Sequence, residues 1–128
     1  MTQEEKDLLL KDLCSRLPHG VKVQTTYINP QTKERKDIGT DVLSTVEISL
    51  LIDGYYEPKP YLFPLEIMTE EQKIIYGDLC YAIIHSLAWD TQAALNELVD
   101  WLNENHFDYN NLILMGLAND ATGLNIYH

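Results

Sequence analysis

The chain has 128 residues, 45% of them hydrophobic and 23% charged, with a formal charge of −11. That length suits one domain around one sizeable core, and the composition is too apolar for a disordered chain. All nine Lys and Arg lie at or before Lys73, so the basic-free remainder repels a phosphate backbone and speaks against direct nucleic-acid binding.

Thr2-Gln3-Glu4-Glu5 has the form of a capping box and opens a helix over 3–17, with Leu9, Leu10, Leu13 and Leu17 among its apolar positions. Its acidic start lacks the basic flank and apolar stretch of a secretory signal, which predicts a cytoplasmic protein. Runs such as Leu50-Leu51-Ile52 and Ala82-Ile83-Ile84 are far too short for a membrane span. Pro18-His19-Gly20 stops the helix, because proline resists continuation and glycine accepts a left-handed exit.

Residues 21–28 alternate in polarity and predict a half-exposed strand. Asn29-Pro30-Gln31-Thr32 is a turn, followed by a weak strand over 33–38 that Gly39-Thr40-Asp41 should break. Ser44 to Ile52 reads as a firmer strand, with Val46, Ile48, Leu50 and Ile52 on one face. Asp53-Gly54 then suits a two-residue hairpin into Tyr55-Tyr56-Glu57, which Pro58 and Pro60 should confine to an edge or end early.

A second capping box, Thr69 with Gln72, opens a helix over 70–88 that is apolar around much of its circumference. Such a helix is expected to be the central, most buried one, with Ile75, Leu79 and Ile83 inaccessible. Trp89-Asp90-Thr91 marks a junction, and a third helix follows over 92–104. Cys14 and Cys80 lie in apolar helical patterns and read as buried free thiols.

The densest group of reactive side chains is Asn96 to Gly116. Glu97, Asp100 and Glu104 fall on one helix face, opposite Leu95, Leu98 and Leu102. Asn103-Glu104-Asn105-His106 ends that helix. Asp108 then stands as the N-cap of a short last helix, with its bonds expected from amides near Asn110 or Asn111 and with Phe107 stapled to Leu112. The competing reading pairs His106 with Asp108, Glu104 or His85 as a metal or acid–base site. The spacing does not favour it: the histidines at 19, 85, 106 and 128 are scattered, and no HxxxH, HExxH or CxxC motif exists. His85 reads as a core or boundary histidine. No GxSxG motif or phosphate-cradling glycine loop appears, so neither an enzyme nor a cofactor is indicated. The only local basic patch, Lys33 to Lys36, reads as a solvated turn.

Three stretches, "DLCSRLPHGVKVQ", "KPYLFPLEIMTEEQ" and "DWLNENHFDYNNLILMGLA", together resemble a family of short uncharacterised proteins of gut anaerobic bacteria and their prophages. The family pattern has an arginine where this chain has Phe63, so any role of that arginine is absent here. The resemblance implies a shared fold and a mobile-element origin, and it brings no catalytic residues. It sharpens one stretch: Lys59 to Pro64 should be a stiff extended connector, because each proline fixes φ and biases its predecessor toward extended structure. Either it packs, or Tyr56, Lys59, Tyr61 and Phe63 offer an exposed aromatic ridge to a partner.

The expected architecture is α+β in one domain over 1–128: a helix over 3–17, a sheet region over 20–63, a helical region over 69–118 and a tail over 119–128. The sheet should be antiparallel, with three or four strands, curled or barrel-like, and three helices packed upon it. The function that fits is an acidic accessory or adaptor protein acting on a protein partner, with no membrane role. An acidic nucleic-acid mimic is the first alternative, and an enzyme or metal protein using His85, His106 and Asp108 is the second. Each makes a different demand on the surface: an apolar patch, phosphate-like rows of carboxylates, or a pocket with convergent polar groups.

Overall fold

A computed structural model describes residues 1–87 and 90–127. The fold is α+β, with a mixed sheet that does not close into a barrel. Helix α1 (Gln3–Arg16) runs into a short 3-10 turn at Leu17–His19, and Gly20 leaves it at φ 70°. Thr2 and Glu5 make the expected reciprocal cap, at 3.1 and 2.8 Å. Strand β1 (Lys22–Ile28) buries Val23 and Thr25 and pairs antiparallel with β2 (Arg35–Val42). Gly39 does not break β2. It sits at φ 113° where the register shifts, so the strand passes through a bulge instead of stopping.

The stretch expected to be the firmest strand is a helix, α2 (Thr45–Asp53). Ser44 accepts from the Val46 amide at 3.3 Å, and Glu47 reaches back to the Ser44 amide at 3.2 Å, a capping box that the alternation of apolar residues concealed. The helical period decides burial: Leu51 is buried and Ile48, three residues earlier, packs beside it, while Val46 and Ile52 face solvent. Gly54 is accordingly not a hairpin residue but the left-handed C-cap of α2, at φ 85°.

Strand β3 (Tyr56–Pro64) is central, contrary to the edge position its prolines suggest. Over 56–60 it pairs antiparallel with β1. Its parallel partners β4 (Phe107–Asp108) and β5 (Asn119–Asp120) join only from Tyr61 onward. Pro58 and Pro60 share one strand edge by the two-residue period, so their missing N–H groups fall where no second ladder needs them. Helix α3 (Glu70–Ile84) carries its expected cap, with Thr69 and Gln72 bonded at 2.9 and 3.1 Å, and packs against α4 (Thr91–Glu104). Ala88, Trp89 and His128 lie outside the described residues, and with them part of the expected 70–88 helix and of the junction at 89–91.

The short last helix is absent. Asn111 (φ 58°) and Gly116 (φ 76°) are both left-handed, and residues between them form turns in which the Leu117 and Ala118 amides return to the Leu112 carbonyl. Those turns still feed the core. Leu112, Leu117 and Ala118 join Leu9, Leu13, Val21, Val23, Leu51 and Leu62 in the main cluster. A second, smaller cluster gathers Met68, Leu102 and Phe107, with Trp101 and Tyr76 beside them.

Helix α3 contributes little to either cluster and has no buried residue. The expected central helix is therefore peripheral: Ile75 is 43% exposed, and Leu79 and Ile83 are only half-buried. The interior is filled by α1, α2, the sheet and the 112–118 turns, and α3 packs chiefly against α4, with Tyr76 beside the second cluster.

Candidate functional site

The segment 103–108 is held by a buried ion pair on α1. Arg16 donates to Asp12 through Nε at 2.7 Å and Nη2 at 3.1 Å, and both side chains are sealed from solvent. The same Nη2 donates to the Phe107 carbonyl at 2.8 Å, Asn110 donates to Asp12 at 2.8 Å, and the Tyr109 ring lies 4.8 Å from the guanidinium. Tyr109 bonds Asn103 at 2.8 Å, and its phenol is pushed up by burial. This network ties the end of α4 to α1.

Asp108 is a cap, but for amides two residues further along than expected. It accepts from the Leu112 and Ile113 amides, both at 3.0 Å, and not from those of Asn110 or Asn111. Phe107 faces the core as expected, in the cluster that excludes Leu112, so the two form no staple. His106 adopts φ 60° and lies flat against Tyr127, with ring centroids 3.7 Å apart. Its Nδ1 is buried with no partner among the described residues. Burial, and then the positive charge of Arg16, lower the imidazole pKa to about 4, so it is neutral near pH 7. Tyr127 accepts from the Lys22 amide at 2.7 Å and donates to the Tyr61 carbonyl at 2.8 Å, and burial pushes its pKa up to about 12.

His106, Tyr127, Phe63, Phe107, Thr69 and Gln72 line a cavity of about 410 Å³. Glu104 and Asn105 line it too; Thr69 and Gln72 are engaged in the α3 cap, and Asn105 donates to the Trp101 carbonyl at 2.9 Å. Of the sequence candidates the cavity brings together His106 and Glu104, with no hydrogen bond or ion pair between them among the described residues; the others stand apart. Asp108 is turned into its own loop, Glu104 is exposed, and His85 is no core residue: it stands exposed at the end of α3, its ring 4.0 Å from that of Tyr81. Among the described residues no group of three His, Cys, Asp or Glu could hold a metal ion. Cys14 is exposed and Cys80 half-buried, a correction to the expectation of two buried thiols.

The aromatic ridge is a packed element. Lys59, Tyr61 and Phe63 share one face of β3 and Tyr56 takes the other, all four half-buried. Tyr56 meets Tyr27 edge-on at 6.3 Å, and Phe63 packs on Phe107 and Tyr127 at 6.5 and 5.9 Å.

A row of uncovered apolar side chains lies on the outer side of α3. Ile74, Tyr81 and Ile84 follow one another at helical spacings and are 65%, 63% and 76% exposed. Gln72, Tyr76, Leu79, Cys80 and Ile83 are the half-buried positions, on the side opposite that row. Carboxylates border the row: Glu71 and Asp78, two turns apart, are both exposed. The sequence did contain the signal. A helix apolar around much of its circumference and packed chiefly against one neighbour leaves one side bare.

Searches against protein-family models, curated proteins and solved structures find no match to this chain. No helix among the described residues is long and apolar enough to cross a membrane.

Proposed function

We propose that the chain is a small acidic accessory or adaptor protein that acts by protein–protein contact through the outer side of α3. The observation that carries this reading is the row Ile74, Tyr81 and Ile84, each more than half exposed on one helix face. Apolar residues scattered singly on a surface need no explanation, whereas a contiguous set rimmed by charge marks a contact site. The charge on the rim supports it too, since carboxylates keep such a surface soluble until it is occupied. A mobile-element origin, resting on the three sequence stretches that resemble prophage-borne proteins, belongs to the same proposal.

An acidic nucleic-acid mimic is the second reading, supported by Glu97, Asp100 and Glu104, which stand exposed in one line along α4. A single line of three carboxylates matches less of a duplex than the α3 row matches a helix-sized groove, so contact through α3 is preferred.

The test is a photo-crosslinking amino acid placed at Tyr81 or Ile84 in cells that express the protein. Val46, 59% exposed on α2, is the control position. Discrete protein adducts from 81 and 84 and none from 46 are expected. Adducts from 46 alone, or from no position, would overturn the reading. Adducts confined to Glu97 or Asp100 would transfer it to the mimic.

A further inference from the structure

Resting on the contact function proposed above, we infer that the occupant of the α3 face is an amphipathic helix of another protein, carrying Lys or Arg beside its apolar stripe, and not a second copy of this chain.

The first support is the spacing. Ile74, Gly77, Tyr81 and Ile84 follow the three-four-three step of a helix–helix seam, and all four are exposed. The second is Gly77 itself. A glycine in a helix interior destabilises it relative to alanine, so its presence needs a reason. No such reason is found among the described residues: Gly77 does not have a positive φ, and a Cβ added there would meet nothing within 4 Å. A bare backbone in the middle of an exposed apolar seam lets a partner helix approach closely.

Charge then chooses between partners. Glu71 and Asp78 lie on one flank of the seam, seven residues apart, and neither is in an ion pair among the described residues. Lys73, on the other flank, is already held by Glu70 at 3.2 Å. In an antiparallel pair of copies the carboxylate flank of one would face the carboxylate flank of the other. A parallel pair would set that flank against Lys73, which has its partner. A foreign helix with cations two turns apart answers Glu71 and Asp78 directly, and like-charge exclusion keeps copies of this chain apart.

The test uses two designed helical peptides matched in length to α3. Both carry leucines at three-four spacing with an alanine at the crossing point; one has lysines seven residues apart on its flank, the other glutamates. Binding is read by fluorescence anisotropy at low and high salt, and the protein alone is followed by sedimentation. The lysine peptide should bind in a salt-sensitive manner, at least about tenfold more tightly than the glutamate peptide. Gly77→Leu should weaken it by about tenfold or more, and Asp78→Asn should reduce the salt dependence. Equal binding of both peptides would overturn the basic-helix assignment and leave contact through α3 standing. So would a protein that binds neither peptide but sediments as a dimer dissociated by Ile84→Glu, because its occupant is then a second copy. A monomer that binds neither peptide would remove both the assignment and the contact reading.

Discussion

Arg16 and Asp12, one turn apart on α1, form an ion pair with both side chains fully buried, and the guanidinium reaches on to the carbonyl of Phe107. A residue near the start of the chain thereby fixes the strand that follows α4. Removing one partner strands the other charge in the interior. Asp12→Ala is expected to destabilise the fold by about 3–5 kcal/mol in urea denaturation. A loss under about 1 kcal/mol, the scale of an exposed pair, would mean that water reaches Arg16.

Asp108 satisfies two backbone amides of the 109–117 turns from a buried position. Asp108→Ala should cost about 2 kcal/mol, the upper end for a lost cap, because the stranded amides are shielded from water. Asp108→Asn keeps one acceptor oxygen and should recover part of that loss in the same melting experiment.

The imidazole of His106 titrates at about 4 in the folded chain, against 6.5 for an unperturbed histidine. Below pH 6.5 the unfolded state binds the proton more readily, so stability present above that pH is lost as the pH falls toward about 4. His106→Asn tolerates the left-handed backbone and carries no such proton. Between pH 7 and pH 4.5 the wild type should lose more melting temperature than the Asn variant. Parallel curves would show that the ring is solvated.

Gly77→Ala should raise stability by about 0.5–1 kcal/mol, since alanine favours the helix and its Cβ enters open space. Destabilisation by this substitution, seen in chemical denaturation, would mean that α3 is covered from within the chain.

Much of this could be read from the residues. The caps Thr2–Glu5 and Thr69–Gln72, the exit at Gly20, the β1 alternation and the α+β class all rest on local chemistry, and local chemistry is what a sequence displays. The errors arose where two local patterns competed. Val46, Ile48, Leu50 and Ile52 alternate like a strand, but Ser44 and Glu47 cap a helix there, and Ile48 with Leu51 meets the core only at helical spacing. The central place of β3 was hidden because its later partners, near residues 107 and 119, come from far along the chain. For the candidate site the obstacle was of another kind. Apolar circumference on 70–84 says that the helix wants cover, and only the assembled fold shows that the described residues do not provide it on the side of Ile74, Tyr81 and Ile84.

On the proposed reading Ile74, Tyr81 and Ile84 belong to a contact and not to the core. Its most direct measurement is the unfolding free energy of the triple variant Ile74→Ser, Tyr81→Ser, Ile84→Ser. Substitutions at exposed positions change stability by about 0.5 kcal/mol or less apiece, so the variant should unfold within about 1.5 kcal/mol of the wild type, with an unchanged denaturant slope. A loss of about 5 kcal/mol or more, the scale of several emptied core positions, would place this row inside the fold and leave α3 no face for a partner.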